Sequence, residues 1–369
     1  MASRIGVLGG GQLGRMLALA GYPLGLRFLF LDPAPGSPVS ELAEQVVADY
    51  DDREALASLA ACDVVTYEFE SVPVEATEAF LETVPVYPPP GALRVAQDRL
   101  FEKQRFRSLG IPTPDFAPVD SRAALTAACD RLGFPAVLKT RRFGYDGKGQ
   151  RVLRSAAELD GAWEELGGAP LILEEFVLFD RELSIVGVRG RDGDTAFYPL
   201  VENVHEHGIL RVSRAPAPNL HEELRFLAEA YCRSLLEDLE YVGVLALELF
   251  QRGQALFANE MAPRVHNTGH FSIEGARTSQ FENHLRAILG LPLGSTEVPE
   301  PCCMLNLIGA IPERTAVLSV PGAHLHLYGK APRAGRKVGH ITVVAPDRLQ
   351  LDERVARLSS LPGVGPTAR

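Results

Sequence analysis

The sequence predicts an α/β region followed by α+β regions, with a parallel sheet covered by helices at the start and a small, mostly β region at the end. Three observations support this fold class. In the first ninety residues, short apolar runs alternate with amphipathic segments, a pattern typical of a parallel sheet with helices on its faces. The middle of the chain contains many strand-like runs and one long amphipathic helix. Strand-like runs return after residue 297.

Length and composition limit the classes of protein to be considered. The chain has 369 residues, more than one hydrophobic core usually supports, so two or three domains are expected. Its net charge of −10 argues against binding to nucleic acid or to an anionic membrane. No apolar run approaches the ~18 residues of a membrane span, and the N-terminus leads directly into a strand, so we expect a cytoplasmic protein. The five scattered cysteines lack the spacing of a metal site and are expected to be buried thiols.

The predicted domains meet at two changes in pattern. Residues 1–90 form a parallel-sheet domain whose expected strands are RIGVL, RFLFLD, VVADY and DVVTYEF, and the proline run at its end breaks the chain. Residues 91–296 form a central domain with the predicted helices DRLFEKQRFRSLG, SRAALTAACDRLG and LHEELRFLAEAYCRSLLEDL and a hairpin made of VGVLALELF and ALFANEM. Residues 297–369 form a mostly β domain that contains CCMLNLIG, HLHLYG and HITVVA.

A glycine-rich turn follows the first predicted strand. Gly9, Gly11 and Gly14 fit the spacing GxGxxG, and Asp32 ends the second strand, a pattern typical of dinucleotide sites. Glycines are also needed wherever backbone passes close to another ligand or to the helix itself. Three interpretations therefore stay open: a nicotinamide or flavin dinucleotide, a smaller phosphorylated or nucleoside-like ligand, or a structural role. Gln12 could bind a ligand at this sheet edge or cap the helix.

A polar loop in the central domain has the composition of a phosphate-binding loop. Residues 141–150 include Gly144, Gly147 and Gly149, whose backbone N–H groups can face phosphate oxygens. The loop lacks GxxxxGK[ST], which disfavours a P-loop nucleotide hydrolase, and a flexible hairpin turn is the alternative. Lys139 ends the apolar strand before the loop. Only five lysines occur among 37 basic residues, and a lysine at this position suits a phosphate contact.

Carboxylates flank the next predicted turn. Glu174 and Glu175 end one strand, Phe176 and Val177 follow, and Glu182 begins another strand. A carboxylate pair there can accept hydrogen bonds from ribose hydroxyls or an adenine amine, while the following backbone groups supply the rest. Charged residues also flank β-turns without a functional reason, and the local pattern leaves both interpretations open.

The strongest cluster of candidate ligands lies on the predicted hairpin. Glu248 interrupts an apolar strand, a costly position for a carboxylate unless a cation or hydrogen bonds compensate it. Together with Asn259 and Glu260 it would offer two carboxylates and an amide oxygen, ligands that Mg²⁺ prefers. A regular hairpin register places Asn259, not Glu260, on the face of Glu248. A bulge or twist is therefore required if both glutamates bind one metal ion.

The loop after the hairpin is rich in different donors. Arg264, His266, Asn267 and His270 follow one another closely, and such a set suits a small oxyanion. A solvated loop would rarely need so many distinct donors.

Three cations cluster near the C-terminal end of the chain. Lys330 follows a strand-like run, and Arg336 and Lys337 precede another. The cluster predicts a phosphate-monoester site, with a basic surface patch as the alternative.

These motifs resemble the 5-(carboxyamino)imidazole ribonucleotide synthase family, ATP-grasp ligases of purine biosynthesis. The resemblance lies in LGGGQLGRM, TYEFESVP, QDRLFEKQ, VLKTRRFGYDGKGQ, EEFV, NEMAPRVHNTGH, LNLIG and GRKVGH, which occur in the family's order over nearly the whole chain. It implies an ATP-grasp fold with a Rossmann-like N-terminal domain and a small β-rich C-terminal domain. The implied reaction joins bicarbonate to the amine of 5-aminoimidazole ribonucleotide through carboxyphosphate, with ATP converted to ADP and phosphate. The resemblance also implies a homodimer.

The resemblance assigns roles to matching positions. Bicarbonate and carboxyphosphate are positioned by Arg264 and His266, and the catalytic set also includes Asn267 and Lys139. Mg²⁺ binds Glu248 and Glu260. The implied ribonucleotide contacts are Gln12, Tyr145, Asp146, Lys330, Arg336 and Lys337, the last three at its phosphate. The implied ATP contacts are Arg99, Lys139, Gly144, Tyr145, Asp146, Gly147, Lys148, Gly149, Gln150, Glu174, Glu175, Phe176, Val177, Glu182, His205, Asn259 and Glu260.

Other functions remain as alternatives at this point. One is an ATP-grasp ligase that activates formate or a carboxylate, and another is a nicotinamide-dependent oxidoreductase built on the N-terminal glycines. A nucleotide sensor without catalytic activity is a third. The pattern assigns no role to Lys103, which follows Arg99 by one helical turn.

Overall fold

Four short strands form the N-terminal sheet of the computed structural model, which describes residues 3–144 and 148–365. The elements are β1 (Arg4–Leu8), α1 (Gln12–Gly21), β2 (Arg27–Leu31), β3 (Glu44–Val46), α2 (Arg53–Ala60), β4 (Val64–Tyr67) and α3 (Val74–Glu78). The strands pair in parallel in the order β3-β2-β1-β4, as the alternating pattern predicts. The carboxyl ends of β1 and β4 therefore meet at one edge of the sheet.

The third strand differs from its prediction. VVADY was expected to form it, but the strand spans Glu44–Val46. The Asp52 side chain accepts a hydrogen bond from Ala55 N at 2.9 Å and caps α2. The chain must turn before this cap, so the strand ends earlier than its apolar pattern suggests.

The first part of the central region forms a small antiparallel sheet with helices. Its elements are α4 (Pro90–Ala96), α5 (Arg99–Ser108), β5 (Phe116–Val119), α6 (Arg122–Leu132), β6 (Ala136–Thr140), β7 (Gln150–Leu153), α7 (Leu159–Leu166) and β8 (Leu171–Glu175). The strand order is β5-β8-β6-β7. Lys139 pairs with Gln150 across β6 and β7, so the glycine-rich loop joins two neighbouring strands, as predicted.

A second, larger antiparallel sheet of nine strands carries the rest of the chain. Its elements begin with β9 (Arg181–Arg189), β10 (Thr195–Phe197), β11 (Val201–Glu206), β12 (Ile209–Ala215), α8 (Glu222–Asp238), β13 (Gly243–Arg252), β14 (Ala255–Ala262), α9 (Ser272–Gly275) and α10 (Gln280–Leu289). They continue with β15 (Cys302–Ile308), α11 (Arg314–Leu318), β16 (Ala323–Leu327), β17 (Lys337–Val344) and α12 (Arg348–Ser359). The order is β14-β13-β9-β11-β12-β15-β17-β16, with β10 paired to β9.

The C-terminal strands extend this central sheet. β15 pairs with β12 through Val212 and Leu305, so strands from two predicted domains share one hydrogen-bonded ladder. This pairing covers an edge that β12 would otherwise expose. The region also ends in α12, a helix that the strand-like runs did not predict. The predicted boundaries at residues 90 and 296 stay predictions.

The hydrophobic cores are built from buried apolar side chains, and all five cysteines are buried free thiols, as expected. Within the two ranges that the structure describes, no helix is long and apolar enough to cross a membrane.

Candidate active site

A cleft of about 690 Å³ brings together residues from all three parts of the chain. Its walls come from the carboxyl edge of the N-terminal sheet, the β13–β14 hairpin and the segment between β16 and β17. The predicted site residues that line it are Gln12, Arg99, Gly144, His205, Glu248, Glu260, Arg264, His266, Asn267, Lys330 and Lys337. The predicted residues outside this lining are Lys139, Lys148, Gly149, Gln150, Glu174, Glu175, Phe176, Val177, Glu182, Asn259 and Arg336. Tyr145, Asp146 and Gly147 lie outside the described residues.

The chain's own carboxylates occupy the N-terminal glycine turn. Gly11 N and Gly14 N donate to the two Glu68 carboxylate oxygens at 2.9 and 3.1 Å, and Gly10 N donates to Asp32 Oδ2 at 2.7 Å. A Cβ on Gly11 would lie 2.7 Å from Glu68 Oε1, which explains the glycine there. In a dinucleotide site these N–H groups would face the pyrophosphate. Their internal pairing argues against the dinucleotide interpretation.

The edge of this turn meets a cation from the other end of the chain. Lys330 Nζ donates to Gln12 Oε1 at 2.5 Å, although 318 residues separate the two along the sequence. Burial lowers the pKa of Lys330, and the positive charges of Arg336 and Lys337 act in the same direction. Arg336 Nη1 donates to the Ala331 carbonyl at 3.3 Å. The three predicted phosphate cations therefore lie in one region, with two of them lining the cleft.

A buried ion network surrounds the Glu174 side chain. Lys139 Nζ and Lys103 Nζ lie 2.9 and 3.3 Å from Glu174 Oε2. Burial would raise the pKa of Glu174, but the charges of Lys103 and Lys139 lower it to about 2. The Glu174 side chain thus pairs with two lysines, one of them the residue to which the sequence assigns no role.

A β-bulge places the two candidate metal ligands opposite each other. Leu249 pairs with Ala258, but Glu248 pairs with Glu260, so Asn259 is the extra residue. The sequence predicted that both glutamates could bind one metal ion only if the hairpin contained such a bulge. Burial, and then the negative charge of Glu260, raise the pKa of Glu248 to about 7.

The residues around the bulge fit Mg²⁺. The two paired carboxylates lie in the cleft lining, and Asn259 Oδ1 is buried with no hydrogen-bond partner in the described structure. Residues 3–144 and 148–365 contain no group of three or more His, Cys, Asp or Glu arranged to hold a metal ion. Phosphate oxygens and water would therefore have to complete the coordination, as is usual for Mg²⁺.

Arg99 connects this pair to the glycine-rich loop. Its Nη1 donates to Glu260 Oε2 at 2.7 Å, and its Nη2 donates to the Gly144 carbonyl at 3.4 Å. Burial would raise the pKa of Glu260, but Arg99 lowers it to about 2 through its charge and this hydrogen bond. On the other side, His205 Nδ1 lies 2.9 Å from Glu182 Oε2. Arg99 and His205, which both line the cleft, are thus each paired with a carboxylate.

The loop after β14 presents an arginine and a neutral histidine. Arg264 Nη2 donates to Glu70 Oε2 at 2.8 Å, while Arg264 Nε is buried without a partner in the described structure. His266 Nε2 lies 3.4 Å from Glu248 Oε1. Burial, and then the charge of Arg264, hold the pKa of His266 well below its ordinary value, so the imidazole is neutral near pH 7. This pair offers a cation and a neutral hydrogen-bonding group to a small anion.

Two buried amides hold that loop in place. Asn267 and Asn306 exchange two hydrogen bonds of 3.1 and 2.7 Å. Gln280 accepts from His266 N at 3.0 Å and donates to the His266 carbonyl at 2.6 Å. The Asn267 amide is therefore paired to Asn306, and Gln280 sets the backbone of His266.

Sequence reasoning did not single out several residues that shape the cleft. Asp98 accepts from Arg141 Nε and Nη2 at 2.9 and 2.7 Å and caps α5, which attaches the start of the glycine-rich loop to that helix. Its position directly before a predicted helix was a usable N-cap signal. The others are Glu68, Glu70, Gln280 and Asn306. Asn306 lies within the motif LNLIG, but that motif assigned it no role, and no local pattern marks Gln280.

Comparisons with protein families support the fold. A ribonucleotide synthetase preATP-grasp domain matches residues 1–97, an ATP-grasp domain matches residues 104–281, and a phosphoribosylaminoimidazole carboxylase C-terminal domain matches residues 302–354. The chain is thus an ATP-grasp ligase, and the predicted fold class is confirmed.

Individual relatives narrow this class to one family. The chain is 56% identical to N5-carboxyaminoimidazole ribonucleotide synthase from Pseudomonas aeruginosa, over 97% of this chain and 99% of the relative. The corresponding synthetase structure from Thermus thermophilus has a TM-score of 0.95 at 57% identity, covering 99% of this chain and 100% of that one. The Aspergillus clavatus synthase in complex with ADP and 5-aminoimidazole ribonucleotide has a TM-score of 0.88 at 35% identity, covering 97% of this chain and 96% of that one. The chain belongs to the N5-carboxyaminoimidazole ribonucleotide synthase family, as its motifs predicted.

Proposed function

We propose that the chain joins bicarbonate to the amine of 5-aminoimidazole ribonucleotide, with conversion of ATP to ADP and phosphate. The observation that supports this proposal is that one cleft contains all three groups of residues. They are Lys330 and Lys337, the Glu248–Glu260 pair and the Arg264–His266 loop. These groups suit a phosphate monoester, a metal-bound nucleotide and a small oxyanion respectively.

The proposed chemistry begins with bicarbonate as the nucleophile. Bicarbonate is a poor electrophile, so one of its oxygens attacks the γ-phosphorus of ATP, breaks the bond to ADP and forms carboxyphosphate. Little covalent chemistry is required of the protein, which contributes position and charge. Arg99 and Lys139 are the cations that offset the charge on the transferring phosphoryl group. Glu248 and Glu260 would hold Mg²⁺, which when bound neutralises further phosphate charge.

The Arg264–His266 loop positions the second half of the reaction. The Arg264 guanidinium binds the bicarbonate oxygens and then the carboxylate end of carboxyphosphate. The neutral His266 imidazole donates or accepts a hydrogen bond without adding charge. The ribonucleotide amine then attacks the carbon of carboxyphosphate and expels phosphate, or attacks the CO₂ that remains after phosphate has left. In both cases a C–N bond forms and the amine loses one proton, which the released phosphate accepts.

The pairings of Glu174 and Asn267 support a positioning role for both. Glu174 pairs with Lys139, and Asn306 pairs with Asn267, the residue next to His266. We further propose a homodimer in the cytoplasm, for which sedimentation of the purified chain and its location in cells are the tests.

ADP formation tests the proposed function directly. Full-rate ADP release should require ATP, bicarbonate and 5-aminoimidazole ribonucleotide together. Equal ADP release with formate in place of bicarbonate would favour a different ATP-grasp ligase. Tight binding of NADH without ADP formation would instead support the oxidoreductase alternative.

Removal of one phosphate cation should affect one substrate selectively. Lys330→Ala is expected to raise KM for the ribonucleotide by about 10-fold or more, since a lost charged hydrogen bond costs roughly 1.5–3 kcal/mol. KM for ATP should change little, because Lys330 contacts Gln12 and not the Glu248–Glu260 pair. Arg333→Ala is the matched control, since it removes an exposed cation from the same segment and does not line the cleft. If Lys330→Ala raised KM for ATP more than KM for the ribonucleotide, Lys330 would belong to the nucleotide site instead.

A further inference from the structure

The outer edge of β14 is bonded to a helix instead of a strand. β14 ends the order of the large sheet, so no strand within residues 3–144 and 148–365 pairs with the other side of its backbone. Lys103 Nζ donates to the Asn259 carbonyl at 3.0 Å, and Glu102 Oε1 accepts from Met261 N at 2.6 Å. These two consecutive residues of α5 therefore bond to the backbone on either side of Glu260.

Both side chains are buried at a free-energy cost. Glu102 is 2% exposed and Lys103 is fully buried. Burial of a charged group is expensive unless it is paired and hydrogen-bonded, and Lys103 has Glu174 as its ion partner at 3.3 Å. Glu102 and Lys103 are consecutive, and both bond to the same short stretch of the β14 backbone. Burial of two charged side chains for one contact indicates that the contact has a specific structural role.

The bulge decides which face of β14 carries Glu260. Without it, the register would pair Asn259 with Glu248 and move Glu260 opposite Leu247, a fully buried core residue. With it, Met261 takes the core position, and Glu260 joins Glu248 in the cleft. A shift of one residue reverses the face of every following side chain.

We propose that Glu102 and Lys103 are positioning residues that together hold the bulge at Asn259 and so place Glu260 beside Glu248. Neither residue is proposed to bind the metal. The inference rests on the proposed function, because the proposed function assigns metal binding to the Glu248–Glu260 pair.

A pair of variants at one position isolates the hydrogen bond. Glu102→Gln keeps an acceptor for Met261 N, whereas Glu102→Leu has similar size and no acceptor. Lys103→Met removes the donor to the Asn259 carbonyl as a second, independent change. Mn²⁺ serves as the probe, titrated by electron paramagnetic resonance into the complex of the full chain with ADP, without turnover. ADP affinity in the presence of EDTA reports whether each variant still folds around the nucleotide.

Loss of the acceptor should weaken Mn²⁺ binding selectively. Glu102→Leu and Lys103→Met are expected to raise the Kd for Mn²⁺ by about 10–100-fold, the usual range for residues that orient metal ligands, while Glu102→Gln stays within about threefold of the unmodified chain. ADP affinity in EDTA should stay within about threefold in all variants that fold.

The contrary outcomes separate this inference from the proposed function. Equal Mn²⁺ affinity in Glu102→Gln and Glu102→Leu would overturn the positioning role, even if Glu248→Gln abolishes Mn²⁺ binding. Unchanged Mn²⁺ affinity in Glu248→Gln would overturn the metal assignment itself, and the positioning role with it. A crystal structure of Glu102→Leu that keeps the pairing of Glu248 with Glu260 would also contradict the inference.

Discussion

A Glu248→Gln substitution is expected to lower kcat by about 10²–10³-fold, the range for removal of one group that stabilises transition-state charge. Glu248 and Glu260 pair across the bulge, and their mutual repulsion is one reason for the raised pKa of Glu248. A divalent cation bound there would relieve that repulsion and neutralise charge on the nucleotide phosphates. The amide keeps the size of the side chain but removes the charge, so metal binding weakens while the fold is retained.

Steady-state kinetics at saturating ATP, over a range of Mg²⁺ concentrations up to saturation, check this expectation. Glu222→Gln on α8 is the matched control, because it removes an exposed carboxylate that does not line the cleft. Its kcat should equal that of the unmodified chain. Unchanged kcat and unchanged Mg²⁺ dependence in Glu248→Gln would show that Glu248 does not bind the metal ion.

A Glu174→Gln substitution is expected to lower the free energy of unfolding by about 3–5 kcal/mol at pH 7, the cost of breaking a buried ion pair. Glu174 is the shared partner of Lys103 and Lys139, and an amide leaves both lysines without a compensating negative charge. Its neighbour Glu175 is the control, because Glu175→Gln keeps an acceptor for Asp115 N and removes no lysine partner. Urea unfolding of the two variants measures the difference, and equal stability would contradict the network.

The lowered pKa of Glu174 predicts how the free energy of unfolding depends on pH. The pKa of Glu174 is about 2 in the folded chain, against an ordinary value of 4.5. A lowered folded-state pKa means that the contribution is fully present above about pH 4.5 and is lost as the pH falls toward 2. The stability difference between the unmodified chain and Glu174→Gln should therefore shrink over that range. A difference that stays constant down to pH 2 would show that the Glu174 charge is not its source.

Sequence patterns predicted the elements whose signals are local. The β13–β14 hairpin, the strands around the glycine-rich loop and α8 follow from apolar periodicity and turn residues. The same reasoning recognised that Glu248 and Glu260 need a bulge, but a regular register could not reveal one. The bulge depends on Glu102 and Met261, which are 159 positions apart in the sequence.

The remaining features depend on contacts between distant segments. Glu68 reaches Gly11 across 57 positions and occupies the turn that suggested a dinucleotide. Likewise, the pairing of β15 with β12 gives the predicted second and third domains a common sheet. An apolar pattern indicates that a strand is buried, but it does not indicate which strand lies beside it in the sheet.

The oxygen atoms of bicarbonate provide the most direct test of the proposed chemistry. If a bicarbonate oxygen attacks the γ-phosphorus of ATP, that oxygen stays on phosphorus when carboxyphosphate breaks down. Turnover with freshly dissolved ¹⁸O-labelled bicarbonate, followed by mass spectrometry of the phosphate, should therefore show one ¹⁸O atom transferred per phosphate released. Phosphate that carries no ¹⁸O, with product formed at the normal rate, would contradict activation of bicarbonate by this ligase.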